Sequence, residues 1–314
     1  MTAFQQANNK PIPRSILIFG ASDHIGGPLA TFLGREAPSV HLRLASRHQD
    51  KVESLQAQFP LAEVVVADYT DLASLTRAVD GMEGIFVITP SRLDETLAMD
   101  NLVQACKASG TLVHMIRFMG QQPEANTRRI PPLFRQHHYG DCDIAIAKRI
   151  LDHSGLPVTY VNSGATFMDN FMRLGLGTSV KRERTLVWPE RLIPWIDPRD
   201  IVEVIGRLFL SDNHRHIGQF HTMNNGHDLK RFHEVADLLG EVIGESVAYD
   251  SSREGFFNTY AFMGEPTLNV IWDFFSYERD NEVVWALNDF VERTIGRKPT
   301  TLREWLIEHR EICF

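Results

Sequence analysis

The chain is poor in cysteine, has no long hydrophobic run and carries no excess of positive charge. Its three cysteines, Cys106, Cys142 and Cys313, share no metal-ligand spacing, and an odd number cannot all pair internally. A reducing, cytoplasmic compartment therefore fits better than a disulfide framework. No stretch approaches the roughly 18 consecutive apolar residues of a membrane span. Residues 1–14 lack the basic-then-apolar order of a signal peptide and read as a disordered lead-in. With 32 Lys and Arg against 40 Asp and Glu, the net charge of −8 argues against a nucleic-acid surface, and the short basic runs at 181–184 and 128–129 read as solvated loops. The histidines form no metal motif: His227 and His233 do not make HExxH, and His214 and His216 flank Arg215 in a polar turn. Partners of the nucleic-acid, membrane and metal classes are thus not expected.

What is present is a chain of 314 residues, 43% apolar, long enough for a large α/β core. Short apolar runs at 16–19, 41–45, 63–67, 84–88, 112–117 and 158–162 alternate with amphipathic stretches. Runs apolar on both faces suit parallel strands covered by helices on each side. Asp71 caps a helix carrying Leu72, Leu75, Ala78 and Val79. Leu93, Leu97, Leu102 and Ala105 line a second, closed by Gly110, and Ile146, Ile150 and Leu151 a third. The expected fold class is α/β, a doubly wound parallel sheet with a smaller mixed C-terminal lobe. Residues 15–163 make the sheet domain, with 193–224 rejoining it. Residues 164–192 and 225–314, including a helix over 229–242, make the smaller lobe, and the cleft between the two takes a ligand.

The most informative stretch is SILIFGASDHIGGPLA, residues 15–30, where the first apolar run turns at Gly20 and enters a helix at Gly26. Such a turn aims loop amides, here of Ser22, Asp23, His24 and Ile25, and a helix N-terminus at a pyrophosphate. Asp23 and His24 stand where a middle glycine is usual. Asp23 either points into the loop, against a pyrophosphate, or caps the helix from outside. The second strand ends in Ala45-Ser46-Arg47, with Lys51 beyond, where an acidic residue holds the ribose hydroxyl of NAD. Basic groups there suit a 2′-phosphate, which favours NADP(H) over NAD(H). Asp68, beside Tyr69 after the third strand, accepts from an adenine amino group or caps its own turn. Thr89 and Pro90 close the fourth strand at the ligand-bearing edge.

These features resemble the NmrA-like branch of the atypical short-chain dehydrogenase/reductases. The GASDHIG turn, the ASR and VADYTDLASL segments, HSGLPVTYVNSGATFMDNF, PWIDPRDIVEV and the tail IGRKPTTLREWL carry the likeness. The resemblance implies a Rossmann domain, a nicotinamide cofactor, commonly NADPH, and a cleft bounded by a variable C-terminal lobe. It implies no particular substrate: members include quinone and azo-dye reductases, and regulators that bind the dinucleotide without turning it over.

The Ser-Tyr-Lys set of the wider family is absent. Tyr139 has Asp143, not Lys, four residues on; counting back from Ser154-Gly155 puts Gly140 and Ile144 at the two places; and Arg117, Phe118 and Met119 occupy the position of the Ser. Tyr139 and His138, with His137 beside it, remain as candidate proton donors or as surface residues of a loop. Phe118, Asn162, Phe167, Met168, Asn170 and Phe171 are candidates for the substrate pocket, to which Trp188, Trp195, Trp272, Phe274 and Phe275 can add aromatic surface. The expected function is NADPH-dependent hydride transfer to a small apolar or aromatic acceptor of quinone, enone or azo type. The alternatives are an NADP(H)-sensing regulator that contacts a partner protein, and a redox-neutral isomerase or cyclase of secondary metabolism. A homodimer is compatible with each.

Overall fold

The structure is a computed structural model that describes residues 9–90, 93–121, 123, 132–133 and 140–313, the side chains of 140–143 excepted. The chain begins with strand β1 (Ser15–Phe19), helix α1 (Gly26–Glu36), β2 (His41–Ser46), α2 (Val52–Gln58), β3 (Glu63–Val66), α3 (Leu72–Val79), β4 (Gly84–Val87), α4 (Glu95–Ser109) and β5 (His114–Met119). It continues through α5 (Gly140–Ser154), β6 (Val158–Ser163), β7 (Thr166–Phe167), α6 (Asn170–Arg173), α7 (Leu176–Glu183), β8 (Thr185–Val187), β9 (Leu192–Ile196), α8 (Pro198–Leu210) and β10 (Phe220–Met223). The last elements are β11 (Leu229–Arg231), α9 (Phe232–Ile243), β12 (Ala248–Asp250), α10 (Arg253–Thr259), α11 (Glu265–Asn281), α12 (Phe290–Ile295) and α13 (Leu302–Glu308).

Among the described residues, seven strands form one parallel sheet in the order β3-β2-β1-β4-β5-β6-β10. The chain winds outward from β1 in one direction and then in the other, which opens a crevice at the carboxyl ends of the strands flanking the reversal. Alternation along β1 shows how both faces are held. Ile16 and Ile18 enter the apolar layer of α1, α8 and α12, whereas Leu17 and Phe19 enter that of α3, α4 and α5. The Asp71 carboxylate caps α3 by accepting from the amides of Ala73 and Ser74 at 2.9 and 3.2 Å.

The smaller lobe has its own core, in which Trp188 meets Phe256 and Tyr260 edge-on. Three details differ from the sequence reading. Only Phe220–Met223 of the expected return over 193–224 pairs in the large sheet. Leu192–Ile196 instead joins β7 and β11 in a three-stranded sheet, because Ile193 and Trp195 fill the small lobe's core. The helix expected over 229–242 starts at Phe232, where the Glu234 carboxylate accepts from the Arg231 amide at 2.6 Å, and Leu229–Arg231 pairs antiparallel to β9. Leu97 faces solvent, since the buried stripe of α4 is Ala98, Met99, Leu102, Ala105 and Cys106 and Leu97 lies off it. Among the described residues no helix is long and apolar enough to cross a membrane.

Candidate functional site

The turn after β1 is set by two glycines. Gly20 takes a φ of +68°, a left-handed conformation that costs glycine little. A Cβ on Gly26 would stand 2.2 Å from the Gly20 carbonyl oxygen, so only glycine lets α1 begin this close to the strand. The helix start has no side-chain cap: the amide of Gly27 donates to the backbone carbonyl of Asp23, and the Asp23 carboxylate takes no part. The capping alternative for Asp23 is thereby removed, because the loop's own backbone does that work. Ile25 and Gly26 are buried and shape the loop from behind rather than lining the crevice.

The crevice is a cavity of about 390 Å³. Gly20, Ser22, Asp23 and His24 form one wall, Arg47, His48 and Lys51 the end beyond β2, and Asp68, Tyr69, Thr89 and Pro90 the floor. The Arg47 Nε donates to His48 Nε2 at 2.8 Å. The backbone amide and hydroxyl of Thr70 donate to Asp68 Oδ1 at 2.8 and 2.7 Å, which holds the carboxyl below its usual range. Asp68 thus caps its own turn through one oxygen while still lining the cavity. The Tyr69 ring stacks on Phe19 at 4.5 Å, and its hydroxyl donates to the Ile88 carbonyl at 3.1 Å. Burial raises that phenol far above its ordinary value, so it stays protonated.

The small lobe closes the crevice with Arg173 of α6. Opposite it, the His24 ring packs 5.4 Å from that of Phe167, with its Nε2 buried and without a hydrogen-bond partner. Burial first, then the charge of Arg173, pushes the His24 pKa down to about 4, so the ring is neutral near pH 7. Loop amides, two basic groups at the end of β2 and a third from the other lobe make a donor set suited to a phosphorylated dinucleotide.

Behind Phe167 lies a second cavity of about 240 Å³, at the ends of β5 and β6. Gly120, Ser163, Phe167, Asn170, Arg191 and Phe275 are among its walls. The walls of the two cavities touch where Phe167 packs against His24 and where the Arg173 guanidinium donates to Asn170 Oδ1 at 3.3 Å.

Of the pocket candidates, Phe167 and Asn170 line this space, and Phe274 and Phe275 add aromatic surface. The others are drawn elsewhere by packing. Phe118 is buried between Phe86 and Phe167, Met168 lies in the small lobe's core, and Phe171 is held between Trp195 and Trp305. Asn162 accepts from the Gln121 amide at 2.7 Å and donates to the Gln121 carbonyl at 3.1 Å, which fixes the turn after β5. Trp188 and Trp195 are core. His137, His138 and Tyr139 lie outside the described residues. Lys148 pairs with Asp152 at 2.6 Å over the Tyr160 ring, a structural arrangement on α5.

Sequence reasoning missed Arg173, Arg191 and the buried Glu95–Arg117 pair beneath Thr89. No local pattern marks the first two. The third had a signal, a charged residue inside the apolar run of β5, where burial without a partner is prohibitive.

The chain is similar to (4-alkanoyl-5-oxo-2,5-dihydrofuran-3-yl)methyl phosphate reductase of Streptomyces griseus, 24% identical over 307 residues, with 94% of this chain and 98% of the relative covered. It is likewise 24% identical over 301 residues to NAD(P)H azoreductase of Xenophilus azovorans, covering 94% and 97%. The solved structure of Citrobacter sp. triphenylmethane reductase complexed with NADP(H) superposes with a TM-score of 0.75 at 21% identity, covering 94% of this chain and 99% of that one. The model of the NmrA-like family matches residues 13–307, and the chain belongs to that family.

Proposed function

We propose that this protein is an NADPH-dependent reductase of the atypical short-chain type, passing hydride to a small conjugated acceptor of quinone, enone or azo class. The observation that carries the reading is the pair of abutting cavities at the sheet's carboxyl edge, the larger one ending at Arg47 and Lys51. In this reading the two basic side chains hold the 2′-phosphate, and the loop amides between Gly20 and Gly26 hold the pyrophosphate, except that of Asp23, which donates to the Gly20 carbonyl at 2.9 Å. Residues 15–163 with 198–223 carry the cofactor, and 164–197 with 224–314 supply most of the acceptor's surroundings. The bound nicotinamide supplies the hydride, so the protein's part is to orient the acceptor, exclude water and stabilise developing charge. Phe167, Phe274 and Phe275 give apolar walls for a flat acceptor. No described residue forms a Ser-Tyr-Lys set, and the proton comes from solvent or from His138. The names of the relatives support the class: a 5-oxo-2,5-dihydrofuran carries a C=C bond conjugated to a carbonyl, and azo dyes also accept hydride.

The test is titration of purified protein with NADPH, NADP⁺ and NADH, followed by NADPH oxidation against a panel of quinones, enones and azo dyes. The expected result is NADPH binding at least about tenfold tighter than NADH, with turnover of at least one acceptor class. Tight NADPH binding with no turnover across the panel replaces this reading with the NADP(H)-sensing one. No dinucleotide binding replaces it with the redox-neutral one.

A further inference from the structure

Arg191, the residue before β9, is 7% exposed and lines the smaller cavity. Its Nη1 donates to the Glu278 carboxylate, its Nη2 donates to Thr166 Oγ1 at 3.0 Å, and the Phe275 ring centroid lies 3.8 Å from its guanidinium carbon. Two arms and one face are thereby fixed. The third nitrogen, Nε, is buried and has no hydrogen-bond partner. A planar guanidinium cannot turn one N–H without moving the others, so the Nε–H direction is set in advance. A buried N–H left without an acceptor is unfavourable, and a ligand oxygen relieves it.

The placement and charge of this donor narrow the ligand. Gly120 and Ser163, at the ends of β5 and β6, line the same cavity, so Arg191 faces the sheet edge where the cleft's reactants meet. Glu278 balances the guanidinium charge. The pair therefore suits an oxygen that is neutral when it binds and becomes negative during reaction, in preference to a permanent anion.

We propose that the Arg191 Nε–H holds the carbonyl oxygen of a conjugated carbonyl acceptor, an enone or quinone, and stabilises the negative charge that forms on it. The inference rests on the reductase reading and names the acceptor class within it. For an enone, the C4–H bond of the dihydronicotinamide breaks and a C–H bond forms at the acceptor's β-carbon. The π pair moves onto the carbonyl oxygen, NADPH becomes NADP⁺, and a solvent proton then neutralises the enolate. A donor held in place beside that oxygen lowers the barrier because the charge that develops there is met without reorganisation.

The experiment compares a neutral quinone (menadione) and a neutral enone (2-cyclohexen-1-one) with a cationic triarylmethane dye, which accepts hydride at carbon and has no carbonyl. The Arg191→Met, Glu278→Gln double variant removes both charges together. Arg191→Lys keeps the charge and loses the planar fork. Expected is a wild type active on carbonyl acceptors, and a loss of about 100-fold in kcat on them in either variant. Dye reduction changes less than about threefold, and NADPH affinity by fluorescence is unchanged. Equal losses on dye and carbonyl, or no loss on either, overturn the proposal, and Arg191→Lys decides alone if the double variant does not fold. A wild type that binds and oxidises NADPH only with the dye also overturns it while the reductase reading stands. A wild type that binds no NADPH overturns the reductase reading and this inference with it.

Discussion

Arg117 on β5 donates to the Glu95 carboxylate at 2.8 Å, and the Thr89 hydroxyl is bonded to both. The ion pair is almost wholly buried, with Arg117 1% and Glu95 5% exposed. Thr89 accepts from Arg117 and gives its only hydroxyl proton to Glu95, so toward the larger cavity it offers a lone pair and no donor. The buried pair fixes the hydrogen-bonding sense of the cavity floor.

Breaking that pair on one side is expected to be severe. Glu95→Ala leaves a buried guanidinium without its counter-charge and should lower stability by about 3–5 kcal/mol. Glu95→Leu with Arg117→Met removes both charges and should cost much less. Urea denaturation of the single and double variants measures the difference, and equal losses would show that the charge pairing is not what matters.

The phosphate-binding role of the β2 end predicts a selective effect. Removing a charge-assisted hydrogen bond typically costs about 1.5–3 kcal/mol, so Arg47→Ala and Lys51→Ala should each weaken NADPH binding by roughly 10–100-fold. NADH lacks the 2′-phosphate and should bind each variant about as it binds the wild type. Fluorescence titration with both nucleotides reads the ratio, and parallel losses for NADPH and NADH contradict the role.

Stability should fall with pH on the acid side of neutrality. Burial first, and then neighbouring positive charge, pushes His24 and His221 down to about 4 from an ordinary value of 6.5, and His114 well below it. The unfolded chain then binds protons that the folded one refuses. Stability is fully present above about 6.5 and is lost as pH falls toward the folded values. The urea midpoint should drop between pH 7 and pH 5. His221 stacks on Phe290 with ring centroids 4.1 Å apart, so His221→Phe keeps an aromatic contact and should flatten the slope. An identical slope in that variant removes His221 from the account.

The parts of the cleft that follow from local pattern were legible in the chain. The β1 turn announced itself because a tight turn and a close helix start both demand glycine, and Arg47 because its place after the second apolar run is set by strand length. Other parts depend on packing between distant segments. Arg191 and Glu278 lie 87 residues apart and meet only when the small lobe folds. Arg173 sits on a four-residue helix too short to show a period. Phe171 looked like pocket lining from its spacing to Phe167, yet Trp305 from the far end of the chain covers it. Leu229–Arg231 carried a helical pattern, and its pairing with β9 overrode it.

Asp23 sets the last expectation. It is exposed, lines the larger cavity, and its carboxylate takes no part in capping α1. A negative charge beside the loop amides opposes a pyrophosphate through a partly screened Coulomb interaction, about 1 kcal/mol at contact distances in water. Asp23→Asn keeps size and polarity while removing that charge, and it avoids the extra loop freedom that glycine brings. NADPH should then bind roughly 3–10-fold tighter at low salt. The gain should shrink at 1 M salt, where the Debye length is about 3 Å. Calorimetry at two ionic strengths measures both effects. Unchanged or weaker binding would mean that the carboxylate lies clear of the cofactor, or that Arg173 across the crevice already neutralises it.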